Sequence, residues 1–97
     1  MEETVQIVNE ENDISVFIDA RITSTGDLLF SGQDLGKQLV ELFGDSEYEY
    51  FLTIRAPHKD QVLLALLEKF YKGNLQVISE VQSLLKTKGI PCEFFVS

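Results

Sequence analysis

Two runs of strict two-residue alternation constrain this chain more than any other feature. Residues 14–22 place Ile14, Val16, Ile18, Ala20 and Ile22 on one side and Ser15, Phe17, Asp19 and Arg21 on the other. Residues 47–55 repeat the pattern, with Tyr48, Tyr50, Leu52 and Ile54 opposite Glu47, Glu49, Phe51, Thr53 and Arg55. Side chains of an extended strand alternate between faces, so each run is a strand with one apolar face to cover. Strands of a doubly wound parallel sheet are buried on both faces and read as continuous apolar runs. The alternation therefore selects a mostly antiparallel sheet with helices on one side.

The remaining elements follow from local chemistry. Ser24 to Asp27 are turn formers, and Leu28 to Phe30 return as the second strand of a hairpin. Val5 to Val8 supply a short strand ahead of the polar turn Asn9 to Asp13. Ser31 is placed to cap a first helix carrying Leu35, Leu39, Leu42 and Phe43, with Asp34 in its electropositive first turn and Gly44 as its stop. The strand over 47–55 is expected to be central. Pro57 suits the start of a second helix, whose residues Val62, Leu63, Leu66, Leu67 and Phe70 form a broad apolar face. Gly73 and Asn74 interrupt the pattern. Leu75, Ile78, Val81 and Leu85 mark a third helix closed by Lys86, Lys88, Gly89 and Pro91, and Cys92 to Val96 form a last strand with Cys92 facing inward. The expected fold is α+β: four to five mostly antiparallel strands, three helices packed on one face, and one globular domain over residues 1–97.

Composition narrows the function. The 97 residues contain no apolar run near the roughly 20 needed to span a bilayer, and the opening MEETVQIVNEEND lacks the basic and apolar regions of a signal peptide. A cytoplasmic location is expected, with no membrane partner. One cysteine cannot close an intramolecular disulfide, and one Cys with one His falls short of a four-ligand zinc site. No metal or cofactor is expected. Eight Lys and Arg against 16 Asp and Glu give a net charge of -8, which repels nucleic acid and anionic lipid. The excess is local, since residues 1–50 hold twelve acids and two bases (-10) and residues 51–97 hold four and six (+2). Solubility explains any single carboxylate but not this asymmetry.

Catalytic patterns are weak. His58 and Cys92 are the types for a nucleophile and base, but an exposed His near a helix start and a small apolar thiol are the simpler roles. Asp45, Glu47 and Glu49 cluster near the start of a strand, yet Gly44 to Glu47 do not match a calcium loop. Ser31 to Gly36 places two glycines at the expected helix start without the Lys or Arg of a phosphate cradle, so a tight strand-to-helix turn is the better expectation. A small hydrolase or transferase using Asp34 or Glu49, with His58, is the enzymatic rival.

By parity, Phe17, Phe51 and Phe95 point away from the helices, beside Asp19, Glu47, Glu49, Arg55 and Glu93. Aromatics contiguous on a charged face mark a contact surface unless a terminal segment or long side chains cover them. The stretches SGQDLG (31–36), GDSEYEY (44–50) and KGIPCEFF (88–95) together resemble a family of short, uncharacterised bacterial proteins, some similar to immunity proteins of toxin systems. That resemblance implies a small cytoplasmic antitoxin-like binder and carries no catalytic residues. The expected function is a non-enzymatic acidic binding module that masks a basic protein surface through Phe17, Asp19, Glu47, Glu49, Phe51, Arg55, Glu93 and Phe95. A structural or regulatory homo-oligomer using the same aromatic face in an isologous dimer is the alternative.

Overall fold

The computed structural model describes residues 3–11, 14–36 and 47–97, and the chain divides into two compact units, Met1–Val62 and Leu63–Ser97. The first unit is built on an antiparallel meander of four strands in the order β1 (Glu3–Glu10), β2 (Ser15–Ile22), β3 (Leu28–Leu35) and β4 (Glu47–Ile54). A 3-10 turn over Ala56–His58 follows, and two helices complete the order, α1 (Lys59–Tyr71) and α2 (Val77–Lys88). The architecture is α+β, as the alternation requires.

Pairing fixes which residues share a face, because directly opposed residues of neighbouring strands project to the same side. One row runs Phe17, Gln33, Glu49; the next runs Asp19, Ser31, Phe51. The opposite face carries Ile18, Gly32 and Tyr50, then Ala20, Phe30 and Leu52, then Ile22, Leu28 and Ile54, with Val5 across from Ala20 on β1. The first face is mixed, and the second is apolar along nearly its whole length. Ala20 at its middle is 7% exposed, the one buried hydrophobic side chain among the described residues.

A β-bulge at Ile7 shifts the β1 register between Gln6 and Val8, so the front strand is bent where it would otherwise present a flat edge. Gly32 serves a different need. The ring of Tyr50 lies across it where a Cβ would stand, and its hydroxyl donates to Asp34 Oδ1 at 2.9 Å. The ring covers backbone that glycine leaves bare, a known way of keeping a glycine within a sheet. Burial is the larger cause holding the Tyr50 phenol above its ordinary value of 10.0, and the Asp34 carboxylate adds to it.

Four expectations are corrected. Ser31 does not cap a helix: Ser31 to Leu35 continue β3 and pair with β2 on one side and β4 on the other. Two ladders of backbone hydrogen bonds outweigh one capping hydroxyl, so tertiary pairing wins over the local signal. Leu39, Leu42, Phe43 and Gly44 of that expected helix lie outside the described residues, as do Asp45 and the end of the Asn9 to Asp13 turn. Nor is β4 central, because among the described residues it pairs with β3 alone and ends the sheet. The expected neighbour is missing because Cys92 to Val96 form no strand. The segment follows the helix stop at Gly89 and Pro91, is exposed and has no regular secondary structure. Among the described residues there are two helices, where three were expected over the whole chain.

In the second unit, Gly89 ends α2 at φ 69°, a left-handed value glycine takes without strain. Its N–H donates to the Lys86 carbonyl at 3.2 Å, and the Ile90 N–H to the Leu85 carbonyl at 2.9 Å. This is a Schellman closure, with Lys86 and Lys88 at the negative end of the helix. Ahead of α2, Asn74 Oδ1 accepts from the Gln76 N–H at 2.8 Å, while its Nδ2 donates to Glu80 at 3.0 Å. The polar turn thus satisfies backbone that the helix start leaves open.

Candidate functional site

The mixed face of the sheet contains a shallow furrow of about 180 Å³ lined by Phe17, Asp19, Ser31, Gly32, Gln33, Glu49 and Phe51. Its form follows from strand register. Phe17 and Asp19 on β2 form one wall, Glu49 and Phe51 on β4 the other, and Ser31 to Gln33 on β3 the floor. Each row across the sheet therefore holds one phenyl and one carboxylate on opposite walls. The phenyls occupy one diagonal of a four-cornered site and the carboxylates the other. With strands about 4.8 Å apart and same-face residues about 6.7 Å apart along a strand, the diagonals span roughly 12 Å between backbones.

Gln33 organises the acidic corner. Its Nε2 donates to Glu47 Oε1 and, more weakly at 3.5 Å, to Glu49 Oε1. One neutral amide thus sits between two carboxylates of like charge. Asp19 makes no hydrogen bond or ion pair with a described residue. Phe51 is 65% exposed although it is a large apolar side chain.

Of the expected site residues, Phe17, Asp19, Glu47, Glu49 and Phe51 share this face. Phe51 is opposite in parity to Tyr48, Tyr50, Leu52 and Ile54, the arrangement the alternation requires. That second set is less covered than expected, for Leu52 is 59% exposed and Tyr48 is exposed too. Phe95 and Glu93 are not brought to the face by strand parity, since they lie in the irregular segment after α2. Arg55 stands just past β4 and engages Asp27 with Nη1 at 3.2 Å.

Sequence patterning missed the importance of Asp27. It is expected only as a turn former, yet its buried carboxylate is the clasp of the first unit. Oδ1 accepts from the Ala56 N–H at 2.8 Å, and Oδ2 accepts from the Thr25 hydroxyl at 2.9 Å and from Arg55. The Ala56 amide chiefly, then the Thr25 hydroxyl, hold its pKa below the ordinary 3.8 against the opposing effect of burial, and Arg55 adds to the lowering. Nothing local in the sequence signals a bond to a residue 29 positions away. Gln33 escapes sequence patterning for a similar reason, since its neighbours read as a helix start while its partners lie on β4.

The two carboxylates named for the enzymatic rival lie on opposite faces of the sheet. Asp34 faces the Tyr50 side of the sheet and Glu49 the other. His58 Nδ1 is within 3.2 Å of Gln61 Oε1. Cys92 is exposed and lies outside any strand, where an inward-facing thiol was expected. Among the described residues, no group of three or more His, Cys, Asp or Glu side chains is placed to hold a metal ion. No described helix is long and apolar enough to cross a membrane. No protein-family model matches the chain, and no curated protein or solved structure is significantly similar to it.

Proposed function

We propose that this protein is a non-catalytic acidic binding module that docks a basic protein surface against the mixed face of its sheet. The observation carrying this reading is the crossed arrangement of Phe17 and Phe51 with Asp19 and Glu49. Phenyls are effective anchors in a desolvated contact, while surrounding carboxylates speed encounter with a positive partner and reject negative ones. The -10 balance of residues 1–50 supports the same reading. The resemblance of the SGQDLG, GDSEYEY and KGIPCEFF stretches to short bacterial proteins adds an immunity or antitoxin-like role, in which the partner is a toxin or enzyme whose basic surface is masked.

Capture from an extract of the source cell tests the reading. The chain should retain a protein of basic surface, retention should fall as salt rises, and Phe17→Ala with Phe51→Ala should abolish it. Retention that ignores salt and survives both substitutions contradicts the reading.

A further inference from the structure

We propose that the furrow between Phe17 and Phe51 receives the guanidinium of a single arginine from the partner, an inference that rests on the binding-module reading and names the chemistry of its central contact. Charge selects a cation. Asp19 and Glu49 stand on the two walls, and Glu47 is drawn in by the shared Gln33 amide. An apolar group would leave the carboxylates of Asp19 and Glu49 facing a dry surface, and an anion would add to their repulsion.

The phenyls select arginine over lysine. A guanidinium is planar and weakly hydrated, stacks on aromatic rings, and spreads five donors along its edges. Laid over the Ser31 to Gln33 floor, it meets carboxylates at one pair of corners and ring carbons at the other. An ammonium is a compact, strongly hydrated point charge that satisfies one corner and remains in water. The site spans roughly 10 Å from β2 to β4, which suits one such cation between the walls.

The test is a titration of the full isotope-labelled chain, followed by NMR, at low salt. The probes are three capped pentapeptides of otherwise identical glycine sequence, with arginine, lysine or citrulline at the centre. The arginine peptide should shift the signals of Phe17, Asp19, Ser31, Gln33, Glu49 and Phe51 most. It should bind more tightly than the lysine peptide by about two- to threefold, a part of the cation–π contact at an exposed site, because the guanidinium stacks flat on the rings while the ammonium keeps its water. The uncharged citrulline peptide should not saturate. Glu49→Gln should weaken the arginine peptide, Phe51→Leu should erase the preference over lysine, and Phe51→Tyr should keep it; all three exchanges are at exposed positions, and amide dispersion checks their fold. Equal binding of the arginine and lysine peptides, or shifts scattered over acidic residues elsewhere, overturns the inference. If a basic partner is captured through Phe17 and Phe51 while the peptides show no arginine preference, the inference fails and the binding-module reading stands. If capture ignores both phenyls, that reading itself fails.

Discussion

The two faces of the sheet are made by the same strands yet answer to different demands. One face carries Val16, Ile18, Ala20 and Ile22 on β2, Leu28 and Phe30 on β3, and Tyr50, Leu52 and Ile54 on β4. Its composition follows from the hydrophobic effect alone, since a sheet needs one face to remove from water. The other is a polar face in which two phenyls sit among carboxylates. Exposure does not separate the faces, since Phe51 is 65% and Leu52 59% exposed; what sets Phe51 apart is its place among carboxylates, a setting that suits recognition. The contrast teaches that the residues foreign to their own face are the informative ones: Phe17 and Phe51 on the polar side, Gly32 and Asp34 on the apolar side. The first pair frames the furrow, and the second pair seats Tyr50.

Breaking the apolar face should have the largest effect. Ala20→Asp places a carboxylate at a position only 7% exposed, between Val5 and Phe30, with no cation opposite. It should cost about 3 kcal/mol or more in urea unfolding, as burying an unpaired charge does. Gly32→Ala comes next. The new methyl overlaps the Tyr50 ring, so the ring must leave and its bond to Asp34 must break. A loss of about 1–3 kcal/mol is expected, typical of overpacking. Combining it with Tyr50→Ala should cost less than the two losses added together, because the shorter side chain removes the clash.

Asp27→Asn should lower the thermal midpoint at neutral pH by weakening the clasp to Thr25 and Arg55. Because the folded-state pKa of Asp27 lies below its ordinary 3.8, its stabilising contribution is complete above that value and is lost as pH falls through the folded pKa. The gap in melting temperature between wild type and Asp27→Asn should therefore be widest near neutrality and close in acid. A gap that widens in acid would contradict this assignment. The smallest effect on stability belongs to the polar face: Phe51→Ala should change unfolding free energy by no more than about 0.5 kcal/mol, as an exposed substitution does.

Alternation is the part of the fold most directly written in the residues. It placed β2 and β4, assigned their faces and put Phe17 and Phe51 on the same side, because a period of two needs no knowledge of neighbours. Helix punctuation was equally local, with Pro57 before α1 and Lys86, Lys88 and Gly89 at the end of α2. The segment Ser31 to Leu35 misled because a cap, an early acid and a glycine mimic a helix start. Only the presence of strands on both sides makes it β3. The position of β4 at the end of the sheet was misjudged along with Cys92 to Val96, since an expected fifth strand supplied its missing neighbour. Asp27 and Gln33 were overlooked because their partners are distant in sequence: Ala56 for one, Glu47 and Glu49 for the other.

The division of labour between the two faces is tested most directly by the affinity of a captured partner for two variants. Phe17→Ala with Phe51→Ala alters the polar face, and Leu52→Ser alters the apolar face at a position already 59% exposed. Affinity should fall by at least about tenfold for the first, the loss of one or two anchoring aromatics, and stay within about twofold of wild type for the second. Unchanged affinity in the phenyl variant together with lost binding in Leu52→Ser would place recognition on the apolar face and contradict the account.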